Sequence, residues 1–356
     1  MLNFTVGPVM SDRDVLEIAN HSTPYFRTPE FSAVMLENEA LMLRFLSAPE
    51  GSRCVFLTTS GTGAMESVVM NVLNDRDKVL VINGGSFGER FAELCRLHRR
   101  NMSEIRLDFG CALHREHLEP YAGQGYTALL VNMHETSSGV LYDMPMIAEF
   151  CREQGMLLVV DAISAFLADE LDMDKLGAAV VITGSQKALA VQPGIALVVL
   201  SPEALTRVAE NPEVCMYLSL KDALKNGERG QTPFTPAVTT LLQIHTRLKQ
   251  IAADGGAAAE RQRISAIAKQ LRDGIADLPL TSISESPSNA VTALHPEARA
   301  TEIIRILKDE YQIWVCPNGG AIADQVFRIG HIGHITEQDN QVLIDALHDM
   351  YRRGLL

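Results

Sequence analysis

Leu157-Leu-Val-Val-Asp161-Ala-Ile-Ser164, followed after one more apolar run by Gly184-Ser-Gln-Lys187-Ala-Leu-Ala-Val-Gln-Pro-Gly194, decides how this chain is read. Leu157–Val160 and Ala179–Thr183 are short and almost wholly apolar, without polar alternation, as expected of strands covered on both faces. Similar runs stand at Cys54–Thr58, Val79–Ile82, Ile105–Asp108, Ala128–Asn132 and Ile195–Leu200. Helix-length stretches, Ala64–Asn74, Phe87–His98 and Met144–Gln154, lie between several of them. The alternation predicts an α/β fold with a mainly parallel seven-stranded sheet and helices on both faces. The link through Gln192-Pro193-Gly194 is too short for a helical crossover, so the last two strands should be antiparallel.

After Pro236 the pattern changes to helical stretches at Val238–Ala253 and Glu260–Leu278. Strands near Ala290–Leu294 and Val326–Ile329 and a closing helix near Glu337–Tyr351 follow. This divides the chain into a large α/β domain over 1–236 and linking helices with a small C-terminal α/β domain over 237–356. The polar Ser282–Asn289 segment marks a boundary within the second part. Lys and Arg number 31 against 44 Asp and Glu, a net charge of −13, so nucleic acid and anionic membrane surfaces are not expected partners. No segment reads as a signal peptide or membrane span. Six scattered cysteines without a C-x-x-C pair suit reduced thiols and a cytoplasmic location.

Three features carry chemistry. Ser60-Gly61-Thr62-Gly63-Ala64 follows a strand and opens a helix, where unpaired amides and the helix dipole can receive a phosphate. A dinucleotide fingerprint would place a third Gly at Glu66 and an acid at Asn83, and no Gly-Lys dipeptide supplies a P-loop. Asp161 closes one strand and Lys187 follows another, at the sheet end where open α/β folds bind ligands. An amine and an acid flanking one ligand meet the needs of pyridoxal phosphate: a lysine to form an imine and shuttle a proton, and an acid to keep the pyridine nitrogen protonated. Taken singly, the Asp could be a helix cap and the Lys a solvated side chain. His114 with His117, and His331 with His334, lack a third ligand at suitable spacing, and no metal is expected.

The Gly184–Gly194 segment closely resembles the cofactor-lysine segment of class V aminotransferases, especially the alanine–glyoxylate and serine–pyruvate enzymes. His134-Glu-Thr-Ser-Ser-Gly-Val-Leu141, Val160-Asp-Ala-Ile-Ser164, Pro233-Phe-Thr-Pro236 and Val326-Phe-Arg-Ile-Gly-His-Ile-Gly333 resemble the same family, and the 2-aminoethylphosphonate–pyruvate branch is also similar. The resemblance runs from Gly7 to the C-terminal helix. It implies fold type I of pyridoxal 5'-phosphate enzymes, transfer of an amino group from a small amino acid or amine to a small 2-oxo acid, and a homodimer with sites at the subunit interface.

Carried over by position, the resemblance implies that Lys187 holds the cofactor as a Schiff base, Asp161 pairs with its ring nitrogen and Thr136 with its phenolic oxygen. Ser60, Gly61, Thr62 and Gln186 would hold the phosphate, and Phe87, where relatives often carry Trp or Tyr, would stack on the ring. Thr235 would reach the partner subunit's cofactor, and Arg328 would grip the substrate carboxylate. Gly7 and Arg27 are expected near the substrate. Two rival readings are a lyase or cysteine desulfurase, with Cys316 as acceptor thiol, and a non-catalytic protein of the same fold.

Overall fold

The computed structural model describes residues 1–356. Its strands are β1 (Leu2–Phe4), β2 (Arg53–Leu57), β3 (Lys78–Asn83), β4 (Asn101–Arg106), β5 (Ala128–Asn132), β6 (His134–Glu135), β7 (Val140–Leu141), β8 (Leu157–Asp161), β9 (Ala178–Gly184), β10 (Ala196–Leu200), β11 (Leu280–Ser282), β12 (Val291–Pro296), β13 (Ile313–Pro317) and β14 (Phe327–Gly330). A seven-stranded sheet has the order β2-β10-β9-β8-β5-β3-β4. Neighbours from β9 to β4 are parallel, whereas β10 runs antiparallel to both β9 and β2. The short Gln192-Pro193-Gly194 link thus reverses the chain as its length requires.

Every residue of β5, β8, β9 and β10 is buried, which explains their lack of alternation. Two apolar clusters cover the two faces, one including Leu158, Val160 and Val181, the other Val159, Val180 and Ile182. Alternate residues of one strand thereby feed different cores. Strand β4 begins four residues before the apolar run assigned to it. It is an edge strand with a mostly half-exposed pattern, so Asn101-Met-Ser-Glu104 carries little hydrophobic signal.

A second sheet, β1-β13-β14-β12-β11, packs its own apolar cluster against the Gly256–Gly274, Ala300–Tyr311 and Glu337–Arg352 helices. Here the molecule departs from the simple division at residue 236. Leu2–Phe4 pairs in parallel with Ile313–Val315, placing the first strand in the smaller sheet. A three-residue strand with a partner some 300 residues away leaves no periodicity to read.

Candidate active site

Asp161 is the last residue of β8, paired in register with Ile182 of β9, and Lys187 stands three residues beyond the end of β9. The two functional groups therefore issue from adjacent parallel strands at the same edge of the sheet, as the sequence reading requires. Both side chains are buried. Lys187 lines a pocket of about 490 Å³ together with Gly7, Ser60, Gly61, Thr62, Phe87 and Gln186, all expected from the sequence, and with Arg90, Ile163 and Gly194. That volume falls within the roughly 300–1,000 Å³ of small-molecule sites.

The electrostatics of the pair follow from burial. Asp161 Oδ1 accepts the Ile163 amide at 2.8 Å. Burial still raises its pKa to about 6, and the neighbouring Glu135 charge adds to the rise, while Lys187 and Arg90 oppose it. Burial likewise lowers Lys187 to about 8, helped by the Arg328 guanidinium, with Asp161 acting against it. Each group thus feels the other's charge, and neither has an ion-pair partner within bonding distance. The Lys187 ammonium donates to the Val6 carbonyl. Gly7 presses on its stem: a Cβ there would lie 2.8 Å from Lys187 Cδ, and φ is +122°.

The Gly61–Asn71 helix starts at the pocket wall. Its N-cap, Ser60, makes no side-chain capping bond, and the Gly61 and Thr62 amides donate to no acceptor in the chain. A helix start with free amides beside a cationic lysine is built for an anion. Phe87 lies in the first turn of the Ser86–Leu97 helix, and Arg90, one turn on, places its guanidinium 4.8 Å from the Phe87 ring centroid. Arg90 and Glu135 escaped the sequence reading. The i, i+3 spacing from Phe87 was the available signal for Arg90. Glu135 accepts from the Phe87, Gly88 and Ser137 amides, from Asn132 Nδ2 and from Ser137 Oγ, so it fixes the helix turn that carries Phe87.

Thr136 is buried beside this constellation, and its Oγ1 donates to Ser164 Oγ at 2.8 Å. Arg328, on β14, donates to the Thr136 carbonyl at 3.0 Å, to the Pro317 carbonyl at 2.6 Å and to Cys316 Sγ at 3.2 Å. Its guanidinium is thus oriented by carbonyls rather than by an acid. Cys316 is half-buried and sits in a strand directly opposite Arg328, not on a loop.

Asp161, Thr136 and Arg328 stand behind the pocket rather than in its wall, and two further expected residues, Arg27 and Thr235, are engaged elsewhere within one chain. Arg27 donates to Gln231 Oε1, to the Thr232 carbonyl at 2.8 Å and to the Pro233 carbonyl, and it lies over the Phe26 ring, so it clasps the 231–233 segment. Thr235 is exposed, beside the stacked rings of Tyr217 and Phe234.

The residues present fit pyridoxal phosphate: free amides for its phosphate, an aromatic ring and a buried amine line one cavity, and the buried Asp161 carboxylate lies behind it within the field of Lys187. Comparison with known proteins agrees. The family model for class-V aminotransferases matches residues 17–332. The chain is 31% identical over 371 residues to the soluble hydrogenase 42 kDa subunit of Anabaena cylindrica, covering 98% of this chain and 94% of that protein. It is 27% identical over 345 residues to the serine–glyoxylate aminotransferase of Arabidopsis thaliana, covering 94% and 86%. Among solved structures, a subgroup IV aspartate aminotransferase from Thermus thermophilus superposes with a TM-score of 0.92 at 25% identity, over 99% of both chains. An alanine–glyoxylate aminotransferase from Nostoc sp. gives a TM-score of 0.92 at 24% identity, over 99% of this chain and 95% of that one.

Proposed function

This chain belongs to the class-V aminotransferases, enzymes that use pyridoxal 5'-phosphate, and from that premise we propose that it moves an amino group from a small amino acid or amine, of the alanine, serine or 2-aminoethylphosphonate type, to a small 2-oxo acid such as pyruvate or glyoxylate. The observation that carries the reading is the burial of Lys187 and Asp161 at the ends of adjacent strands, each in the other's field.

When bound, the cofactor withdraws electrons from the donor's Cα–H bond and holds the amino group between the two half-reactions. Lys187 would anchor it, and burial, by lowering Nζ to about 8, brings the amine close enough to neutral pH to give up and take back a proton. Asp161 supplies the buried negative charge that a protonated ring nitrogen needs. The free Gly61 and Thr62 amides, with Ser60 and Gln186, would hold the phosphate, and Phe87, in the same cavity wall, would back the ring. Arg328 receives the substrate carboxylate, its guanidinium pre-oriented by two carbonyls. Gly7 brings the backbone against the lysine stem at the wall of the pocket.

The homodimer reading is supported by Thr235, which is exposed outside its own chain's pocket and so free to face a partner's site. Six unpaired cysteines support a cytoplasmic setting, and no helix is long and apolar enough to cross a membrane. The cysteine-desulfurase alternative is disfavoured by Cys316, held in β13 against the Arg328 guanidinium where an acceptor thiol would need a mobile loop.

Lys187→Ala should lose the visible absorbance of the bound cofactor and nearly all turnover. Near-normal turnover in that variant would contradict the assignment. Donor choice follows from single half-reactions, recording loss of that absorbance with alanine, serine, aspartate and 2-aminoethylphosphonate in turn. Absence of any response to all four would remove the proposed substrate class.

A further inference from the structure

A buried histidine stands behind the site and has no part in the mechanism above. His134 Nδ1 lies 2.9 Å from Ser164 Oγ, and Ser164 Oγ lies 2.8 Å from Thr136 Oγ1. All three side chains are buried, and His134 Nε2 has no hydrogen-bond partner. We propose that His134 is a positioning residue which, through Ser164, turns the Thr136 hydroxyl proton toward the phenolic oxygen of the cofactor. This rests on the reading that Thr136 meets that oxygen.

The argument is one of proton accounting. Burial lowers His134 to about 3, with the positive charges of Lys187, Arg328 and Arg272 adding to the effect, so the ring is neutral at working pH and only one nitrogen carries hydrogen. Those three cations face the ring from the β9–β10 connection, from β14 and from the Gly256–Gly274 helix. The only carboxylate next in sequence, Glu135, is committed to the Phe87 and Gly88 amides. A positive surround favours a lone pair over an N–H at the unpartnered Nε2, which leaves the hydrogen on Nδ1. Nδ1–H then donates to Ser164 Oγ.

A serine hydroxyl has one hydrogen and two acceptor sites. In the chain as it stands, Thr136 also donates to Ser164, whose own hydrogen has only the His134 carbonyl at 3.4 Å. An anionic oxygen placed beside Thr136 draws the threonine hydrogen to itself. Ser164 then turns its hydrogen onto Thr136 Oγ1, and the chain Nδ1–H to Ser164 to Thr136 to ring oxygen has every donor satisfied. Each bond polarises the next. No covalent bond forms or breaks, and no net charge moves.

A donor on the ring oxygen makes that oxygen a poorer partner for the proton on the nitrogen joining Lys187 to the cofactor. Losing the donor should therefore raise the pH at which this nitrogen deprotonates. The other charges on that nitrogen, from Arg328, Asp161 and Arg90, are the same in all the variants compared.

The experiment titrates the visible absorbance of the cofactor-saturated protein. In His134→Leu and in Ser164→Ala the Thr136 hydroxyl stays but loses the polarisation passed along the chain, so the midpoint should move up by a few tenths of a pH unit, against about one unit, ~1.4 kcal/mol, for loss of the hydroxyl itself in Thr136→Val. His134→Asn, whose side-chain amide can donate where Nδ1 does, should titrate close to the wild type. Combining His134→Leu with Ser164→Ala should move the midpoint no further than either alone. Thr136→Val supplies the control for the underlying reading. If Thr136→Val shifts the midpoint and the His134 and Ser164 variants do not, the relay is overturned while Thr136 keeps its place. If Thr136→Val leaves the midpoint unmoved, the placement of Thr136 fails and the relay with it. Should His134→Leu not fold, Ser164→Ala carries the same test.

Discussion

Two helices begin at the same edge of the sheet, and their first turns are treated in opposite ways. The Gly61–Asn71 helix leaves the Gly61 and Thr62 amides bare and facing a cavity. The Ser86–Leu97 helix has its Phe87 and Gly88 amides taken by the fully buried Glu135 carboxylate. The electrostatic device is the same in both, a helix start that wants negative charge. In one the charge is built in and the result is a fixed platform for Phe87. In the other it must come from outside, and the result is a binding site. Glycine-rich sequence alone does not separate them, since Ser60-Gly-Thr-Gly63 and Gly84-Gly85 both read as turns at helix starts.

The sharpest way to break this contrast is to empty the filled end. Glu135→Ala leaves two helix amides, Asn132 and Ser137 without their acceptor in a dry interior. The expected loss is about 3–4 kcal/mol, a fall in melting temperature that added cofactor does not recover. A variant that melts like the wild type would show that the carboxylate is not what holds this turn.

The second test concerns pH. The Asp161 pKa in the folded cofactor-free protein is about 6, above its ordinary value of 3.8. Below about pH 4 the group is protonated in folded and unfolded chains alike and contributes no penalty. As pH rises from about 4 to 6 the unfolded chain ionises at no cost while the folded chain holds its proton, so stability falls across that window by on the order of 2–3 kcal/mol and levels off above it. Asp161→Asn should therefore stabilise the cofactor-free protein at pH 7–8 and flatten its melting temperature between pH 4 and 7, while removing turnover. A less stable Asp161→Asn variant at pH 8 would reverse the sign of this account.

The open end gives a smaller effect of a different kind. An alanine Cβ at Gly61 would fall 2.3 Å from Ile163 Cδ1, a side chain that also lines the cavity. Gly61→Ala should push Ile163 into the pocket and weaken cofactor affinity by about tenfold, roughly 1.4 kcal/mol, with little change in the melting temperature of the cofactor-free chain. The two helix starts would then differ by assay: one variant reads out in folding, the other in binding.

The strands of the seven-stranded sheet were legible because four of them are buried on both faces and leave uninterrupted apolar runs. Asp161 and Lys187 were legible because each follows such a run. Apart from Arg90, whose partner Phe87 is one helical turn away, what escaped has a common physical cause, partners distant in sequence. Glu135 acts on amides 47 and 48 residues before it. His134 works through a serine 30 residues later. Arg27 shows the converse, since a guanidinium expected near the substrate is, within its own chain, hydrogen-bonded to a segment about 205 residues on. Polar residues announce their presence in a sequence but not their partner, and the partner decides the role.

The first strand has a practical corollary. Leu2–Phe4 is hydrogen-bonded into the smaller sheet, and two residues later the Val6 carbonyl and Gly7 already touch Lys187. The opening of the chain is thus a short strap between one sheet and the reactive amine belonging to the other. A clip at Thr5, or a fusion that pulls Leu2–Phe4 out of register, would be felt as altered lysine reactivity before it was felt as unfolding, so an affinity handle belongs at the other terminus.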